Sequence, residues 1–89
     1  MDLRSSFWRY KAMSDEWEKS IRVSFGDNLR EIRKNKGFSQ ESLALACGLD
    51  RTYIGGVERG ERNISLVNIC KIADTLELHP AELMKGMNT

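Results

Sequence analysis

The stretch from Ser39 to Asn63, SQESLALACGLDRTYIGGVERGERN, constrains this chain most. It reads as two short helices joined by a tight turn. Ser39 is placed to cap the first helix, its hydroxyl accepting from an otherwise unpaired backbone N–H. Gln40 and Glu41 open the first turn, and Glu41 suits the positive end of the helix dipole. Leu43, Ala44 and Cys47 recur at i, i+1 and i+4 and make one narrow apolar face. Gly48 is the stop, because glycine takes the left-handed conformation that closes a helix at no side-chain cost. Leu49 then turns inward and Asp50 caps again. Arg51, Thr52 and Tyr53 open the second helix, Ile54, Val57 and Glu58 form its inner side, and Gly60 ends it.

The second helix therefore carries its apolar anchors in the middle and its polar groups at the front. A helix held only by its own core has no use for that arrangement. A helix whose N-terminal end meets base edges in the DNA major groove does. Two helices with this turn form the layout of a helix-turn-helix.

The rest of the chain supplies a frame for this pair. Ser14 is a candidate helix start, with Asp15 and Glu16 in its first turn. Trp17, Ile21, Phe25, Leu29 and Ile32 then form one stripe of a helix running to Lys36, with Gly37 as the stop. Gly26 is a candidate interruption that would move the true start to about Ser24. Residues 1–13 are read as an N-terminal extension, with Phe7, Trp8 and Tyr10 interleaved with Arg4, Arg9 and Lys11. Residues 14–89 form the single domain that 89 residues allow. Ser65 is placed to cap a fourth helix with Leu66, Ile69, Cys70, Ala73 and Leu76 as its core stripe. Val67 and Ile72 lie on another side and suggest a second buried surface. Pro80 suits the first position of a fifth helix, His79 sits at or before its cap, and Lys85 to Thr89 are expected to fray. The expectation is an all-α domain of five helices.

Charge narrows the function. The chain carries 14 basic and 13 acidic residues, so net charge gives no argument for nucleic acid. Its placement does: Arg30, Arg33, Lys34, Lys36, Arg51, Arg59 and Arg62 gather around the paired helices. No segment approaches the roughly 18 apolar residues of a membrane span, and no apolar run of a signal peptide opens the chain. No membrane partner is expected, and a cytoplasmic protein is the default. Cys47 and Cys70 each fall on the inner face of a predicted helix and are read as core thiols. One histidine and two separated cysteines supply no zinc site. No nucleophile–base pair or phosphate loop is visible, so no enzyme, cofactor or small-molecule ligand is expected.

The SQESLA opening, the glycine turn and the ERG close resemble the helix-turn-helix of the Xre/Cro family of phage and bacterial repressors. The likeness covers about two thirds of the chain, from Phe25 to Leu83, through FGDNLREIRKNKGFSQ upstream and NISLVNICKIADTLELHPAEL downstream. The string DRTYIGGVERGERN looks like the recognition helix and following loop of controller proteins that time restriction–modification gene expression. Two departures stand out. Ser42 occupies the place where the family often has the Glu that completes a capping box, so the box is expected to be incomplete. Gly55 and Gly56 sit where many members place a base-contacting side chain. They either let the backbone sit close to DNA or leave base reading to fewer residues.

The resemblance implies roles residue by residue. Arg51 and Thr52 match base-reading positions. The Arg fork suits guanine O6 and N7, and Thr offers a methyl or a hydroxyl. Gln40 matches a phosphate-contacting position at a helix N-terminus. Tyr53 is a candidate for a phosphate bond or for stacking along the sugar edge. Arg59, Arg62 and Asn63 are candidates for backbone contacts. Arg33 and Glu58 match an internal salt bridge that fixes the angle of the reading helix. The expected function is sequence-specific regulation of transcription by a homodimer on a palindromic operator in double-stranded DNA, as an autoregulatory controller of restriction–modification genes. Val67, Ile72, Leu76, Leu78, Leu83 and Met84 are the expected dimer surface. The alternative is an interaction module, such as the DNA-binding antitoxin of a toxin–antitoxin pair, motivated by Phe7, Trp8, Tyr10 and Trp17.

Overall fold

The structure, a computed structural model, describes the backbone of residues 3–87 and the side chains of residues 15–87. Four α-helices follow one another: α1 (Leu3–Asn35), α2 (Gln40–Cys47), α3 (Arg51–Glu58) and α4 (Leu66–Thr75). A 3₁₀ helix at Pro80–Leu83 closes the fold, and no strand occurs among the described residues. The expected fifth helix is thus a single 3₁₀ turn. His79 caps it, its Nδ1 accepting from the Ala81 N–H at 3.1 Å, and the Met84 N–H donates to the Ala81 carbonyl at 3.1 Å. The segment is too short for α-helical bonds to propagate, and Gly86, three residues beyond it, turns left-handed (φ 74°). Among the described residues no helix is long and apolar enough to cross a membrane.

Gly26 does not interrupt the first helix, which runs unbroken through it and through the junction at residues 13 and 14. The glycine is there because α1 crosses the end of α3. A Cβ at Gly26 would lie 2.5 Å from the carbonyl oxygens of both Val57 and Glu58. At the end of α3, Gly60 turns left-handed (φ 76°) against Val23, and its carbonyl accepts from Arg22 Nε at 2.9 Å. Helix α1 is therefore the bed on which the end of α3 rests. Its apolar stripe enters the core only at Phe25 and Leu29, with Ile21 and Ile32 half-buried and Trp17 45% exposed. Phe7, Trp8 and Tyr10 lie outside the residues whose side chains are described.

The paired helices are held by their caps. Ser39 accepts from the Ser42 N–H at 2.9 Å, and the Ser42 hydroxyl accepts from the Ser39 N–H at 2.9 Å. The capping box is thus complete, contrary to expectation. Within one turn a serine hydroxyl reaches as well as a glutamate carboxylate does. Gly48 closes α2 in the left-handed conformation (φ 73°) and the Leu49 N–H returns to the Ala44 carbonyl at 2.9 Å. Leu43 and Ala44 from α2 meet Ile54 and Val57 from α3 in one core with Phe25, Leu29, Ile69, Ile72, Ala73, Leu76 and Leu83.

Helix α4 corrects several expectations together. Its buried face is Ile69, Ile72, Ala73 and Leu76, whereas Leu66, Val67 and Cys70 are exposed. Of the expected stripe, Ile69, Ala73 and Leu76 are in the core, but Leu66 and Cys70 face outward and Ile72 takes a core place, because apolar residues ring this helix and blur its phase. Cys70 is therefore a surface thiol, while Cys47 is half-buried. Burial pushes the Cys47 thiol up from its ordinary value. Ile72, Leu76 and Leu83 fill the core of the single chain and are not available as a dimer surface, and Leu78 is half-buried against that core. Of the six expected interface residues only Val67 (64%) and Met84 (52%) are exposed, and Leu66 (75%) joins them. The tail is better held than expected: Asn28 Nδ2 donates to the Leu83 and Lys85 carbonyls, and Met87 packs on the core. Residues 88 and 89 lie outside the described part.

Candidate nucleic-acid interface

Helix α3 begins with an exposed first turn on a fixed base. Asp50 caps it, its carboxylate accepting from the Thr52 N–H at 2.7 Å. That backbone bond first, and then the Thr52 hydroxyl, hold the fully exposed Asp50 carboxyl below the usual carboxylate range. Arg51 and Thr52 are exposed, while Ile54 and Val57 behind them are fully buried. The front of the helix is thus free to enter a groove and its middle is anchored. Tyr53 is half-buried against the core, and its hydroxyl accepts from Asn68 Nδ2 at 3.1 Å. That bond ties α3 to α4.

The angle of α3 is set by a buried ion pair. Arg33 Nε donates to Glu58 Oε2 at 2.6 Å and Arg33 Nη2 to Glu58 Oε1 at 3.0 Å. Both residues are 6% exposed. The two parallel bonds fix relative orientation as well as distance. Arg33 Nη1 also donates to the Phe38 carbonyl at 2.8 Å, and Gln40 Nε2 donates to Glu58 Oε1 at 3.0 Å. One carboxylate thereby collects donors from α1 and α2 onto the end of α3. No buried side-chain polar atom among the described residues lacks a partner. Gln40 therefore has a structural bond in addition to its place in the first turn of α2.

Beside this pair lies an open cleft of about 310 Å³ lined by Arg30, Arg33, Lys34, Gln40, Glu58 and Arg59. Four cations face one carboxylate, and that carboxylate is already paired with Arg33. The cleft suits an anion, and it adds Arg30 and Lys34 to the candidate backbone contacts. Their spacing with Arg33, at i, i+3 and i+4, is the sequence signal that sets them on one side of α1, with Glu31 the single acidic residue between them. Arg59 Nε reaches Glu61 Oε2 at 2.9 Å, but both side chains are about 60% exposed, so the tie is weak. Arg62 and Asn63 are exposed in the loop that follows.

Two short capped helices at this spacing, with the first turn of the second exposed, are decided by comparison with known proteins. The profile of the helix-turn-helix family matches residues 29–83. This chain belongs to the helix-turn-helix family. The family is a class of DNA-binding transcription regulators and not of enzymes. Among the relatives of this helix-turn-helix protein, control protein C.BamHI of Bacillus amyloliquefaciens is 50% identical over 66 residues, 73% of this chain and 82% of that one. Control protein C.MunI of a Mycoplasma species is 47% identical over 68 residues, 75% of this chain and 92% of that one. The crystal structure of the restriction-modification controller protein C.AhdI from Aeromonas hydrophila is 62% identical and superposes with a TM-score of 0.68, covering 68% of this chain and 92% of that chain. The profile begins at Leu29, so most of the long α1 precedes it.

Proposed function

We propose that this chain is a homodimeric transcriptional regulator that reads a symmetric operator and controls restriction–modification genes, its own among them, in the cytoplasm. The observation that carries this reading is the 62% identity to a restriction-modification controller over 92% of that protein's chain. The geometry agrees with it. Arg51 and Thr52 read base edges from the exposed first turn of α3. Gln40, Tyr53, Arg59, Arg62 and Asn63, with Arg30 and Lys34, face the phosphates and set the register without specifying sequence. Arg33 and Glu58 keep α3 at its angle. Leu66, Val67 and Met84, exposed on α4 and just after the 3₁₀ helix, form the centre of the dimer contact.

The test is binding to a labelled fragment from upstream of the protein's own gene, measured beside an unrelated duplex. The expected result is tight, salt-dependent binding to the first, with Arg51→Ala losing most of the preference and little of the binding to the second. Equal affinity for both duplexes would refute sequence-specific regulation. A stoichiometric protein partner in place of DNA would favour the interaction-module reading.

A further inference from the structure

Two glycines in a row inside an eight-residue helix need a reason, because each weakens a helix relative to alanine. Neither Gly55 nor Gly56 presents bare backbone to solvent; both are buried. What covers Gly56 is Arg62 of the loop that follows the helix, and what covers Gly55 is Arg59 at the helix end together with Gln40 Oε1 of α2, which would lie 3.5 Å from a Cβ there. A Cβ on Gly56 would lie 2.8 Å from Arg62 Cγ, with Arg62 Nε at 3.6 Å and Cδ at 3.8 Å. A Cβ on Gly55 would lie 3.1 Å from Arg59 Nη1. The stem of Arg62 thus lies in the space a side chain at position 56 would fill, and the guanidinium of Arg59 lies over position 55.

The face concerned is the reading face. Gly55 is four residues after Arg51 and Gly56 four after Thr52, so each glycine stands one turn behind an exposed residue of the first turn. The buried anchors Ile54 and Val57 occupy the other side. We propose that Gly55 and Gly56 form a notch in which the loop arginines Arg59 and Arg62 are seated, so that the second turn of the reading face is surfaced by guanidinium groups delivered from outside the helix. Gly56 is then a positioning residue for DNA contact, acting through Arg62. An arginine pre-set along the helix loses less rotamer freedom on binding than one free in a loop. This inference rests on the DNA-binding reading above.

The notch makes an unusual demand on Gly56→Ala. The new methyl meets the Arg62 stem at Cγ and no backbone, so the whole Arg62 side chain must leave its seat to make room. Helix propensity then favours the variant. The experiment measures affinity for the fragment upstream of the protein's own gene, together with melting temperature, for the native protein, Gly56→Ala, Arg62→Ala and the double variant. Arg62→Ala is expected to weaken binding on the order of tenfold, as for one lost charge-assisted contact. Gly56→Ala is expected to lose most of that factor while melting no lower than the native protein. In the Arg62→Ala background it is expected to change affinity less than about twofold and to raise the melting temperature by several degrees. Native affinity in Gly56→Ala would overturn the notch, as would an equal loss in both backgrounds. An Arg62→Ala protein that binds as the native one does would also overturn it, while leaving the regulator reading in place. Failure of the native protein to bind the fragment would overturn that reading and the notch with it.

Discussion

Replacing Glu58 by alanine tests the buried centre of the interface. The substitution removes an acceptor of three side-chain hydrogen bonds, two from Arg33 and one from Gln40. Arg33 stays behind at 6% exposure, with the Phe38 carbonyl as its remaining partner. Charge-assisted bonds are worth about 1.5–3 kcal/mol each, but their sum overshoots, because water reaches part of the space that opens. Removing one member of a buried pair costs about 3–5 kcal/mol. A chain of this size has a total stability of about 4–13 kcal/mol, so the loss is about a quarter of it or more. Urea unfolding at fixed protein concentration should show the midpoint falling by roughly 2–4 M with the slope unchanged. Joint replacement of Arg33 by Met and Glu58 by Leu should recover most of that loss, since apolar side chains of similar volume need no partner. A loss below about 1 kcal/mol in Glu58→Ala would refute the claim that this pair holds α3.

Three further outcomes follow from the packing. Gly26→Ala should destabilise by about 3 kcal/mol or more, because its methyl meets backbone carbonyls of Val57 and Glu58 at 2.5 Å that cannot move without lifting α3; a melting temperature within a degree or two of native would contradict the crossing. Arg30→Ala with Lys34→Ala should reduce the log–log salt slope of DNA binding by about two units with no change in the preferred sequence; an unchanged slope would remove the cleft from the DNA footprint. Cys70, exposed on α4, should alkylate well before Cys47, whose half-buried thiol is held protonated by burial; mass spectrometry of partly modified protein reads the order, and Cys47 first would refute the phase of α4.

What was legible in the sequence was what local chemistry decides. Ser39, Gly48, Asp50 and Gly60 punctuate α2 and α3 because caps and left-handed turns need particular residues wherever the chain folds. The Arg33–Glu58 pairing came from resemblance alone, since 25 residues separate the two and no spacing rule joins them. Gly26 looks like a break in sequence because its reason is the approach of α3, which only the tertiary fold contains. The phase of α4 was lost because Leu66, Val67 and Cys70 continue its apolar character around the helix. Surplus apolar residues from Val67 to Met84 looked like an interface, but Ile72, Leu76 and Leu83 serve the chain's own small core. Arg30 and Lys34 are legible in the sequence only as members of a basic cluster, and they line a cleft only when α1 brings them beside Gln40 and Arg59.

The central claim is that two copies of α3 read one symmetric stretch of DNA. Hydroxyl-radical footprinting of the native protein on the DNA upstream of its own gene tests it most directly. The account predicts two protected half-sites related by a twofold axis, their centres about 34 Å apart along the duplex, appearing together as protein is added. Protection of a single asymmetric site, or none at concentrations where unrelated DNA is equally bound, would contradict it.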